Sequence, residues 1–175
     1  MSRLAPAGNI AGLTVHPLEM HADGRGHLTE TFRPDWGLGF VPAQWHVLRS
    51  REGAISGMHL HLVHVDYKVV LDGRMVLGLK DLRAGSPTED RTALLELGGD
   101  ELVAVLIPHG VAHGLYALTD SLCLVAGTEL YDPADDLEFS YADPELGFDW
   151  PDEPRHVSER DRTAKSLQKL RAKLA

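Results

Sequence analysis

Ser56-Gly57-Met58-His59-Leu60-His61-Leu62-Val63-His64-Val65-Asp66-Tyr67-Lys68-Val69-Val70-Leu71-Asp72-Gly73 places three histidines, an aspartate and a lysine between positions 59 and 68. Val65 to Leu71 reads as a strand, and Asp72-Gly73 as the turn that closes it. Alternate side chains of a strand share a face. His59 and His61 are therefore expected to point one way, and Asp66 and Lys68 to form a second such pair. On the inside of a β-barrel these imidazole, acidic and basic groups would converge in one cavity. A buried cluster of this kind is a costly way to build a core, so it reads as a site.

Working outward, Glu52-Gly53 turns into this stretch, and Gln44-Trp45-His46-Val47-Leu48 reads as the strand before it. Further upstream, Pro34 to Pro42 is loop, His27 to Phe32 a strand, Asp23-Gly24-Arg25-Gly26 a turn and Leu13 to Leu18 a strand, after a Pro- and Gly-containing lead-in over 1–10. Downstream, Arg74 to Leu79 is expected to complete a hairpin, and Asp81 to Asp90 is a polar loop. Ala93 to Leu97, Leu102 to Ile107 and Leu122 to Tyr131 follow as strands, with turns at Gly98-Gly99-Asp100 and Thr119-Asp120-Ser121. Many short strands at this spacing predict an all-β sandwich or barrel. In the tail, Ser158 with Asp161 three residues on resembles a capping box, and Leu167, Leu170 and Leu174 keep helical spacing. One amphipathic C-terminal helix is expected.

The bulk properties narrow the function. A chain of 175 residues, 43% hydrophobic and 25% charged, is expected to be one soluble globular domain, 1–175. A net charge of −9 argues against nucleic acid as a partner, since polyanion binders carry a basic face. The single cysteine, Cys123, lies in an apolar run and is expected to be a buried thiol. It fits a reducing compartment, and no signal peptide or membrane-length apolar run is seen, so the expectation is a cytoplasmic protein with no membrane partner.

A second polar cluster, Pro108-His109-Gly110-Val111-Ala112-His113-Gly114, follows a strand and contains the glycines of a tight turn. One histidine on an apolar face is ordinarily a hydrogen-bonded core group; two His-bearing segments in a small β-protein ask for more. The spacings Gly53-x5-His59-x-His61-x4-Asp66-x6-Gly73 and Pro108-x-Gly110-x2-His113 resemble the two motifs of the cupin superfamily. In its metal-binding members the matching positions would be His59, His61, Asp66 and His113, and imidazoles with a carboxylate suit a first-row metal. Lys68 argues against a metal, because a second cation there raises the electrostatic cost.

A closer resemblance runs from Asp23 to Asp161. Asp23-Gly24-Arg25-Gly26 with Glu30, Gln44-Trp45-His46, Ser56-Gly57-Met58-His59, Lys68-Val69-Val70, Asp81-Leu82-Arg83 with Ser86-Pro87-Thr88, Ile107 to Gly114, Tyr131-Asp132-Pro133, Asp143-Pro144, Trp150-Pro151 and Ser158-Glu159-Arg160-Asp161 are similar to the dTDP-4-dehydrorhamnose 3,5-epimerase family. The resemblance implies a cupin-like double-stranded β-helix, a jelly-roll barrel over about 11–131, with a C-terminal segment and helix over about 132–175. It implies a homodimer without metal or other cofactor, acting on a nucleotide-linked 4-keto-6-deoxy sugar.

The same resemblance implies roles for residues. His59 matches the base that removes a hydrogen next to the C4 ketone, Asp161 the carboxylate that orients it, and Lys68 the cation beside the developing oxyanion. Arg25 matches a contact to the nucleotide diphosphate. Glu30, Gln44, His46, Ser56, His113 and Tyr131 complete the expected substrate-binding set. Three positions depart from the family pattern. Ser56 stands where the family has an arginine, His46 where it has an asparagine, and Val125 where it has the tyrosine that protonates the opposite face of the enolate. Tyr116, Tyr131 and His113 are candidates to replace that tyrosine. A non-catalytic nucleotide-sugar binder is the alternative that Ser56 and Val125 raise.

Overall fold

The computed structural model describes residues 10–99 and 101–174; residues 1–9 of the lead-in, Asp100 of the expected turn and Ala175 lie outside them. β5 (Ala54–Leu60) and β6 (Asp66–Asp72) carry the two halves of the histidine-rich stretch. They enter different sheets, so His59 and Lys68 stand on two facing walls. His61 lies just past the end of β5, in the crossing loop.

One sheet contains β1 (Thr14–Pro17), β4 (Gln44–Ser50), β6, β9 (Val103–Ile107) and β11 (Ser121–Gly127), in the order β1-β9-β6-β11-β4. The other contains β5, β7 (Arg74–Asp81), β8 (Thr92–Gly98), β10 (Val111–Ala117) and the short β12 (Leu137–Glu138), in the order β12-β5-β10-β7-β8, with β13 (His156–Val157) added in parallel to β5. Strands alternate between sheets from β4 to β7 and again from β8 to β11. This is the jelly-roll winding.

Several local expectations change. Arg74 to Leu79 does not close a hairpin on β6: β7 crosses to the other sheet, pairing with β8 and β10. Gly73 is the corner; its φ is +74°, and a Cβ there would lie 2.2 Å from the Asp120 carbonyl oxygen. His27 to Phe32 is not one strand. β2 (Met20–Asp23) and β3 (Gly26–Thr29) form a separate two-stranded ribbon around the expected turn. Leu122 to Tyr131 ends as a strand at Gly127. The cluster after Pro108 makes its tight turn at His109-Gly110, but from Val111 it is strand β10, buried along its whole length. The expected single C-terminal helix is two: α1 (Glu159–Thr163) and α2 (Leu167–Leu174).

The main core lies between the sheets, with Val70, Leu77, Leu95, Val105, Ile107, Leu115 and Cys123 among its members. Burial pushes the Cys123 thiol up to about 11, an inert core group. Each sheet is also covered outside. Phe32, Trp36 and Phe40 pack over Tyr67 and Val69 of one. Leu146, Leu167 and Leu170 pack with Phe139 over Met58 and Leu60 of the other. The C-terminal segment is thus docked on the back of β5, the strand that carries His59. Among the described residues, no helix is long and apolar enough to cross a membrane.

Candidate active site

A bulge in β5 sets the first wall. His113 of β10 faces His59, but Leu115, two residues on, faces Ser56, three residues back. The extra residue falls at Gly57-Met58. Gly57 has φ +98°, and a Cβ on it would sit 2.8 Å from the His113 carbonyl oxygen. Strict alternation would put Ser56 and His59 on opposite faces. The bulge turns both into one cavity and sends Met58 into the outer core.

The same irregularity receives Asp161. β12 pairs with β5 at His59 and Leu60, and β13 pairs with it at Ala54 and Ile55. Between these contacts the Gly57 N–H donates to Asp161 Oδ1 at 3.3 Å. Ser158 caps α1, accepting the Asp161 N–H, and its hydroxyl donates to Asp161 Oδ2 at 2.7 Å. Asp161 Oδ1 then lies 3.4 Å from His59 Nε2. Burial works to raise the Asp161 carboxyl, but His59, Ser158 and Gly57 together hold it below the usual carboxylate range. Arg160, paired with Asp136 at 2.5 Å and with Glu138, ties α1 to β12 beside His59.

The facing wall is made by β4, β11 and β6. Val125 is in register with His46 on one side and Lys68 on the other, and all three line the cavity. Lys68 is only 7% exposed and reaches Asp66 Oδ2 at 3.1 Å. His113 Nε2 is 2.8 Å from the same oxygen, and His61 and His64 approach Asp66 at 3.7 and 3.6 Å. Burial would raise the Asp66 carboxyl; Lys68, His113 and His64 outweigh it and hold it well below its ordinary value. Burial, reinforced by His113, pushes His61 down to about 4. His113 is lowered by burial and by Lys68. His64 goes the other way, because Asp66 and Asp135 outweigh its burial.

The cavity between these walls has a volume of about 260 Å³. It brings together His59, Lys68, Gln44, His46, Ser56, His113 and Tyr131 of the expected set. Arg25 and Glu30 lie elsewhere. Arg25, its side chain 91% exposed, pairs with Asp23 at the tip of the β2–β3 ribbon, and Glu30 pairs with Arg33. Of the candidates to replace the tyrosine, Tyr131 and His113 line the cavity, whereas Tyr116 packs with Ile55 and Val76 beside Trp150.

Sequence reasoning passed over Asp135 and Asp136. Asp135 accepts the Leu62 N–H at 2.7 Å and meets His64 Nδ1 at 2.9 Å, so it shapes the crossing loop. Two acids after a Tyr-Asp-Pro turn look like a solvated loop, and no spacing marks them.

A metal has candidate ligands here. One ligand atom each from His61, Asp66 and His113 lies within 4.8 Å of the others, as do those of His61, His64 and Asp135. Both His61 and His113 place Nδ1 against a backbone carbonyl, leaving Nε2 toward Asp66. His59 is not part of either set, and the Lys68 ammonium already faces the Asp66 oxygen.

The model of the dTDP-4-dehydrorhamnose 3,5-epimerase family matches residues 7–169. The chain belongs to that family. It is 32% identical over 169 residues to the dTDP-4-dehydro-6-deoxyglucose 3-epimerase of Streptomyces bikiniensis, covering 91% of this chain and 86% of that one. It is 32% identical over 171 residues to the dTDP-4-dehydrorhamnose 3,5-epimerase of Methanothermobacter thermautotrophicus, covering 91% and 92%. Among solved structures, a 4-keto-6-deoxy sugar epimerase from the novobiocin biosynthetic gene cluster of Streptomyces spheroides superposes with a TM-score of 0.88 at 30% identity, covering 99% and 91%. The chain is thus a sugar-epimerase-type enzyme on a cupin-type jelly roll.

Proposed function

We propose that this enzyme epimerises a dTDP-linked 4-keto-6-deoxy sugar by removing a proton from a carbon next to the ketone, with His59 as base. The observation that carries the reading is the convergence of His59 and Lys68 on one small cavity, with Asp161 against the His59 ring. A carbon acid beside a carbonyl ionises only if the enolate oxygen is stabilised as it forms. Lys68 supplies the charge at one wall, and a positioned donor of this kind contributes about 3–4 kcal/mol to lowering the barrier. His59 takes the proton at the other wall as general base. Asp161 fixes the ring and favours the imidazolium that results. Gln44, Ser56 and Tyr131 hold the sugar.

Arg25 and Glu30 reach a substrate only if the β2–β3 ribbon extends to the cavity of a second copy. A homodimer would do this, and the exposed Leu28 and Met20 on the ribbon support it. Sedimentation of the protein with and without the Leu28→Asp change tests that arrangement: a dimer that falls to monomer is expected, and a wild-type monomer would refute it.

The reaction itself is tested by NMR in D2O with dTDP-4-keto-6-deoxyglucose. Deuterium is expected at C3, C5 or both, together with an inverted product; no deuterium at either carbon would refute the reading. A second reading, a metal held by His61, Asp66 and His113, draws on their proximity. Metal analysis of untagged protein separates the two, and less than about a tenth of an equivalent removes the metal.

A further inference from the structure

Inversion needs a proton carrier on each side of the flat enolate. His59 is on the β5 wall, and His113, its cross-strand partner, is on that same wall. Across the cavity the row His46–Val125–Lys68 runs over β4, β11 and β6, with directly opposed side chains about 5 Å apart at Cβ. Val125 has no proton to give. Lys68 is held against Asp66. Tyr131 is 63% exposed in the loop beyond β11, its amide tied to the Gln44 side chain.

We infer that His46 is the acid that protonates the enolate on the face away from His59. The inference rests on the epimerase reading above. In the first half, His59 takes the proton, the C–H pair becomes the C=C bond, and the carbonyl π pair moves to oxygen beside Lys68. In the second half, the oxygen pair re-forms the C=O bond. The C=C pair then takes a proton from the His46 imidazolium, whose N–H pair stays on nitrogen. His59 ends protonated and His46 neutral. His46 is exposed at the cavity mouth, so water returns its proton, while His59 releases its own. Partial desolvation and the nearby Lys68, against a smaller pull from Asp66, make the His46 imidazolium a stronger acid than a free one. The imidazole and Val125 stand side by side, so a proton carrier missing at one position is supplied by its cross-strand neighbour.

The test measures deuterium exchange and inversion separately, in D2O at saturating dTDP-4-keto-6-deoxyglucose, for wild type and His46→Asn. Exchange by His59 is expected to survive in the variant, which also shows that the site is folded. Inversion is expected to fall by about 100-fold or more, the loss typical of a general acid. Inversion and exchange falling in proportion, or inversion unchanged, would overturn the assignment. A wild-type enzyme that exchanges without inverting would overturn this assignment alone. One that does not exchange would overturn the epimerase reading beneath it.

Discussion

Asp161, in the first turn of α1, is held by the capping Ser158 and faces the His59 imidazole with the same carboxylate. One oxygen takes the Ser158 hydroxyl; the other takes the Gly57 N–H and faces His59. Asp161→Asn keeps the shape but removes the charge that favours the His59 imidazolium. The turnover number is expected to fall about 100-fold with little change in KM, measured by steady-state kinetics. Lys68→Met should be worse in two ways. The rate loses the oxyanion partner, about 100- to 1000-fold. Asp66 is left as a buried charge with one fewer cation, so urea denaturation should show a loss of about 3 kcal/mol. At this scale the sequence was readable where chemistry was unusual: a lysine, an aspartate and histidines inside a strand pattern. It was silent on Asp135, whose work is to hold backbone amides of a loop, because nothing in its neighbours distinguishes a buried acid from a solvated one.

The β5 strand illustrates what an element adds. Period-two alternation predicts His59 and His61 on one face, and both line the cavity; what it misses is Ser56, three residues before His59, which joins them because Gly57 bulges. Gly57→Ala would force a Cβ against the His113 carbonyl in a left-handed backbone conformation. A loss of about 1–3 kcal/mol in thermal or chemical unfolding is expected, together with most of the activity. Ser158→Ala removes an N-cap worth about 1 kcal/mol and frees Asp161 to rotate, so stability and rate should fall together. The glycines of the Pro108–Gly114 cluster mark a tight turn, and the structure has one at His109-Gly110; the strand β10 that follows is hidden because it is buried on both faces, where no polar alternation exists to be seen. The tail's leucine spacing gave α2 correctly, but the break before it was hidden. Asp143 Oδ2 accepts the Leu167 N–H at 2.8 Å, a contact made from 24 residues away.

The whole molecule carries a pH dependence set by its buried cavity. His61 and His113 are held neutral by the fold, so the unfolded chain binds protons first as pH falls below the ordinary histidine value near 6.5. Their contribution to stability is therefore lost between about pH 6.5 and, for His61, about 4. Asp66 and Asp161, held low, add stability above the ordinary carboxylate range that is lost on further acidification. His64, raised by Asp66 and Asp135, opposes the trend, stabilising below its unfolded value and losing that as pH rises through its folded one. The expected net result is a Tm that falls from pH 7 to pH 4, with a shallower slope in His61→Gln. The jelly roll was legible from strand count and family spacing together. Which strands share a sheet was not, since a corner such as Gly73 and a hairpin turn have the same local chemistry.

The most direct measurement is the rate of deuterium wash-in beside the ketone of dTDP-4-keto-6-deoxyglucose, comparing wild type with His59→Asn under the same saturating conditions. Wild type should exchange within its turnover time, and the variant should be slower by at least about 100-fold with its binding of dTDP intact. Equal rates in the two proteins would contradict the assignment of His59 as the base.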